Sequence, residues 1–131
     1  MTRGAACVPV ALVALALGCG EASAAGADSA AARGHGDYTR YCAHCHGSRG
    51  GGDGPLARML VPRPARHSDA VSMNVLSDDY LFRLLKEGGP AVGKSPLMGV
   101  WGGILSDQQI RDLIAFLRAL AASGDRKVVP G

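Results

Sequence analysis

Tyr41-Cys42-Ala43-His44-Cys45-His46-Gly47 is the stretch on which the reading of this chain turns. The sequence holds four cysteines, and two of them, Cys42 and Cys45, fall here with the spacing C-x-x-C-H. Two thiols one helical turn apart, with an imidazole beside the second, suit three kinds of chemistry. A zinc site would recruit His44, His46 or His67, but it also expects a second C-x-x-C or an H-x-x-H pair, and none follows. A structural disulfide or a thioredoxin-like redox pair expects a surrounding β-α-β pattern, which the chain lacks.

The third reading is covalent attachment of haem c. Cys42 and Cys45 each supply a thioether to a vinyl group on one porphyrin edge, and His46 projects beneath the iron as its proximal ligand. Composition supports a large non-protein group. Six aromatic residues (Tyr38, Tyr41, Tyr80, Phe82, Trp101, Phe116) stand against 19 glycines and 7 prolines, thin filling for a core, so something other than side chains fills the middle. Only one C-x-x-C-H occurs, so the chain carries one haem and a di-haem peroxidase is excluded.

Upstream, Arg3 precedes an apolar run from Ala5 to Leu17, and polar sequence follows at once. This is the pattern of an export signal, too short to span a bilayer, and it predicts the bacterial periplasm. Two processing sites compete. Ala22-Ser23-Ala24 is an A-x-A cleavage site, and Leu17-Gly18-Cys19 resembles the end of a lipobox that would make Cys19 a lipid anchor, although Ala16 fits that motif poorly. The predicted organisation is an export signal over 1–24, a flexible alanine-rich linker over 25–33, one domain over 34–124 and a tail over 125–131. The net charge of +3 is spread along the chain, which argues against nucleic acid as a partner.

Downstream, Gly47 to Gly54 contains five glycines and leads into Pro55 and Leu56, which predicts a tight loop. Ser77 can cap a helix through Leu81, Leu84 and Leu85 to Glu87. Ser106-Asp107-Gln108-Gln109 has the form of a capping box, and Ile110, Leu113, Ile114, Leu117 and Leu120 then recur at helical spacing with Gly124 as the expected stop. Gly88 to Ser95 matches G-x-x-x-x-G-K-S, but a helical pattern precedes it and Pro96 follows it, so no nucleotide is expected.

From Gly34 to Leu120 the chain resembles the small monohaem class I c-type cytochromes. The resemblance rests on Gly34 and Tyr38 one turn apart ahead of Cys42, on C-x-x-C-H, on the loop ending in Gly54-Pro55, and on the final helix. It implies an all-α, cytochrome c-like fold with three main helices plus short helical turns wrapped around one covalently bound haem. It also implies that the Pro55 carbonyl accepts the second N–H of His46, with Pro62 and Pro64 as competitors, and that Met98 is the second axial ligand. Met59, Met73 and His67 are the alternatives to Met98; Met59 and Met73 otherwise read as core filling. Gly99 stands where the family often has proline, which predicts a more mobile loop around Met98. Trp101 either packs on the haem or is an ordinary core residue. Arg58, Arg63, Arg66 and His67 form a modest basic stretch that reads as a solvated face or as a contact for haem propionates or an acidic partner.

The function implied is single-electron transfer between redox partner proteins, with no catalysis of its own. Two alternatives stand beside it: a haem subunit of a larger exported oxidoreductase complex, and a ligand-binding sensor if the sixth position is open.

Overall fold

Alanine has the highest helix propensity of any residue, and its concentration near the amino terminus has a structural outcome that low complexity alone does not suggest. In the computed structural model, which describes residues 22–125, helix α1 runs unbroken over Ala22–Tyr41. The stretch 25–33, expected as a flexible linker, is therefore the first part of α1. It is also tied down. Arg33 forks onto Asp112, with Nε 2.6 Å from Oδ2 and Nη2 2.9 Å from Oδ1. The export signal and Cys19 lie outside the described residues, apart from the few that begin α1, and so does the tail beyond 125.

The other long helix, α5 (Asp107–Asp125), opens on the expected capping box. Ser106 Oγ accepts from the Gln109 amide at 3.2 Å, and Gln109 Oε1 accepts from the Ser106 amide at 3.1 Å. Helices α1 and α5 form the main packing pair. Tyr38 from α1 meets Ile110 and Leu113 from α5, and these are the largest fully buried side chains. Gly124 does not stop the helix; α5 passes through it, and its lack of a side chain admits the Ser68 carbonyl.

Between these helices the chain makes α2 (Ala43–His46), α3 (Ala70–Asn74) and α4 (Asp78–Glu87), with 3-10 turns at Ala57–Met59 and Gly89–Val92. Asp69 caps α3 and Ser77 caps α4 through their side-chain oxygens. Leu81 and Leu85 of α4 enter the core with Met73 of α3. Arg118 of α5 fastens the α3–α4 connection, donating to the carbonyls of Met73 and Leu76 and to Asp78.

The architecture is all-α and cytochrome c-like, with α1, α4 and α5 as the main helices. Among the described residues there is no strand, and the Gly88–Ser95 segment follows a helix and forms a 3-10 turn, not the strand-to-helix loop of a nucleotide site. Also among the described residues, no helix is long and apolar enough to cross a membrane.

Candidate functional site

Where α1 ends at Tyr41 the chain turns through Cys42 and immediately starts α2. The Cys42 carbonyl accepts from the amides of Cys45 at 3.2 Å and His46 at 2.9 Å, so the two thiols and the imidazole are set by one helical turn. All three residues line one cavity of about 620 Å³. That is a volume in the range of cofactor pockets. Both cysteines are free thiols, and burial pushes the Cys42 thiol up to about 12, with Asp37 and Cys45 adding to the shift. Among the described residues no group of three or more His, Cys, Asp or Glu side chains is placed to hold a metal ion, so the zinc alternative has no donor set.

His46 Nδ1 lies 2.9 Å from the Ala65 carbonyl. A carbonyl only accepts, so Nδ1 carries the proton and the Nε2 lone pair is left for an iron. Burial lowers the His46 pKa, and the Ala65 bond opposes that shift. The partner expected was the Pro55 carbonyl, and the structure corrects it. The glycine loop folds back along α2, with Gly52 N donating to His46 O, Gly54 N to Cys45 O and Leu56 N to His44 O. Pro55 is thereby placed with Ala43 and His44 around a separate surface hollow. The chain reaches the His46 ring only at Ala65, beyond the competing Pro62 and Pro64.

His67, two residues past Ala65, lies flat against His46. The ring centroids are 4.1 Å apart and the planes 18° from parallel. Rings stacked face to face cannot bracket one iron from opposite sides, so His67 is not the axial partner of His46. Burial, with His46 adding to it, pushes the His67 pKa down to about 3. His67 Nδ1 is 3.2 Å from the Tyr38 hydroxyl, which lies 2.9 Å from the Gly47 carbonyl.

Met98 lies in the cavity wall, partly buried against the core. Its loop is pinned to the end of α4. Gly89 N donates to Met98 O at 3.1 Å, Trp101 N to Leu85 O at 3.0 Å and Gly102 N to Lys86 O at 3.1 Å. The mobility expected from Gly99 is therefore opposed by backbone bonds that no single residue type announces. Met73 is core, as expected, but Met59 is 72% exposed and is not core filling. Trp101 also lines the cavity, packs on Tyr41 at 5.3 Å, and has a buried Nε1 with no acceptor among the described residues. Arg63 and Arg66 are at the cavity wall as well.

The residues around this one cavity fit a covalently held haem: two thiols, an imidazole with its lone pair free, a thioether, an orphaned N–H and apolar walls. Comparison with known proteins agrees. Residues 29–117, more than half of the chain, match the family described as cytochrome c oxidase, cbb3-type, subunit III. The chain belongs to that family. It is a small c-type cytochrome, and such a domain implies haem c. Its fold is also similar to a solved structure described as the Kuenenia stuttgartiensis reducing HAO-like protein complex Kustc0457/Kustc0458, with a TM-score of 0.52 and 25% identity. The match covers 67% of this chain and 41% of that one, so the chain corresponds to well under half of its structural neighbour. No curated protein matches the sequence.

Proposed function

We propose that this protein carries one electron at a time between redox partner proteins in the bacterial periplasm, on a single haem c bonded to Cys42 and Cys45 and ligated by His46 and Met98. The observation that carries the reading is that these four residues, drawn from the Cys42–His46 turn and a loop some fifty positions later, line one cavity. Bound there, haem supplies reversible one-electron chemistry at its iron. Ala65 orients His46 and raises its basicity as a ligand through the Nδ1–H bond. The backbone bonds from α4 hold the Met98 segment against the cavity, and Leu81, Leu85, Leu113 and Leu117 exclude water from it. Trp101 Nε1, Arg63 and Arg66, all in the cavity lining, would be donors available to the propionates, and the Trp101 ring would pack on the ring system. His46 and Met98 would together hold the iron from the protein side, which supports a carrier over a catalyst, and the pinned Met98 loop weighs against a ligand sensor.

The match to a family described as an oxidase subunit and the likeness to part of a complex favour a second reading, in which the chain serves as the haem subunit of a larger exported oxidoreductase. Whether signal cleavage follows Ala24 or lipidation occurs at Cys19 decides between a soluble and a membrane-tethered form.

The test is an absorption spectrum of the oxidised and reduced protein, made with a competent maturation system, before and after carbon monoxide. A haem c spectrum with the weak far-red sulfur-to-iron band, unaltered by carbon monoxide, is expected. Ready binding of carbon monoxide would move the sensor reading ahead, and absence of haem would end the proposal. Co-purification of a catalytic subunit from the native host would select the second reading over a free carrier.

A further inference from the structure

The segment 64–67 meets His46 twice, through the Ala65 carbonyl and through the His67 ring, and only the first contact is a hydrogen bond. The Cβ–Cγ bond and the hydrogen bond at Nδ1 hold two points of the imidazole and leave its tilt about the line between them unrestrained. A second flat ring at 4.1 Å, nearly parallel, closes off that tilt. We propose that His67 is a positioning residue that sets the plane of the His46 imidazole, with its own ring anchored by Tyr38. The inference rests on His46 being an iron ligand, as argued above.

The anchoring follows from counting protons. A tyrosine hydroxyl has one hydrogen to give. Tyr38 gives it to the Gly47 carbonyl at 2.9 Å, which has no hydrogen of its own to offer. His67 Nδ1, 3.2 Å from the same oxygen, is then the donor, so the hydrogen bond sets both the tautomer and the rotation of the His67 ring. Tyr38 in turn is held in place: it is fully buried in the α1/α5 seam, with the Phe116 ring centroid 5.0 Å away and the His67 ring centroid 5.7 Å away at a steep angle. The glycine loop makes room for this arrangement. Gly50 has a φ of +69°, and a Cβ there would stand 2.9 Å from His67 Cβ. The orientation of the ligand thus passes from the helix seam through Tyr38 and His67 to His46, by contacts distinct from the Ala65 bond.

The experiment compares the full-length, haem-loaded wild type with His67→Leu and His67→Phe by proton NMR of the oxidised protein. The order and spread of the hyperfine-shifted haem methyl signals follow the plane of the ligating imidazole, and a loss of stability alone does not move them. His67→Leu fills the space without a flat ring and is expected to change the order or spread of these signals; His67→Phe restores the stack and is expected to keep the wild-type pattern. An unchanged pattern in His67→Leu, or equal changes in both variants, would overturn the positioning role. Should His67→Leu fail to accumulate, Tyr38→Phe releases the His67 ring and is expected to shift the pattern, whereas no shift counts against the proposal. A wild type without haem overturns the electron-carrier reading together with this one, while a haem-bearing wild type with an unmoved His67→Leu overturns this one alone.

Discussion

Gly34 in α1 lies directly against the backbone of Asp112 in α5, so close that a Cβ on Gly34 would overlap the Asp112 carbonyl. The contact sets how nearly the two helices approach, and therefore the depth of the seam that buries Tyr38. Gly36, two residues on, has nothing within 4 Å of its own Cβ position. The pair makes an internal control. Gly34→Ala is expected to cost about 1–3 kcal/mol by overpacking, whereas Gly36→Ala is expected to gain roughly 0.5–1 kcal/mol from helix propensity alone. Thermal melts of the two variants should move in opposite directions; a shared direction would show that the close approach does not limit the packing.

Asp112 is 4% exposed, yet it carries the charge that meets Arg33. The Arg33 hydrogen bond holds its carboxyl below the usual carboxylate range, with Gln108 adding to the effect and burial opposing it. A depressed folded-state pKa means that this stability is fully present above the unfolded value of about 3.9 and is lost as pH falls through the lower folded value. Asp112→Asn is expected to lower stability by about 1–2 kcal/mol at neutral pH. The gap from wild type should narrow below about pH 4 in denaturant titrations run from pH 7 downward. A gap independent of pH would mean that the ionised form of Asp112 is not what Arg33 stabilises.

Pro55 and Ala65 make opposite predictions for the environment of His46. Because the accepting carbonyl is that of Ala65, Pro55→Ala is expected to leave the haem spectrum and haem content at wild-type levels. Gly52 is different. Its φ is +69°, and a Cβ there would stand 2.9 Å from the Pro64 carbonyl, so Gly52→Ala should displace the 64–65 segment and cost about 1–2 kcal/mol from the left-handed backbone alone. A spectral change in Pro55→Ala with none in Gly52→Ala would return the role to Pro55.

Met98→Ala removes the thioether while leaving in place the backbone bonds that hold its loop. The far-red sulfur-to-iron band should vanish and carbon monoxide should bind the reduced variant. If the band persists, Met73 is the other methionine in the cavity wall to examine, since Met59 is exposed and does not line it.

Contiguous residues determined much of this protein before any fold was known. Cys42, Cys45 and His46 form a site within a single helical turn, and the caps at Ser77 and Ser106 act over three residues, so local spacing suffices to read them. The seam between α1 and α5 was legible too, through Gly34, Tyr38 and the apolar period of α5. Composition misled where it stood in for structure: an alanine-rich segment reads as a linker until Arg33 finds Asp112 across 79 positions.

What only the tertiary structure decided is the set of partners that carry no signature in a side chain's identity. A backbone carbonyl belongs to every residue, so nothing in the sequence singles out Ala65 over Pro55 as the acceptor for His46. The pinning of the Met98 loop depends likewise on main-chain groups of Gly89, Leu85 and Lys86. His67 stands out in the sequence as the one histidine well downstream of C-x-x-C-H, but its proposed role turns on which face of His46 the returning chain covers. That is a matter of loop path, fixed by long-range packing against Tyr38 and the glycine loop and not by the spacing of residue types along the chain.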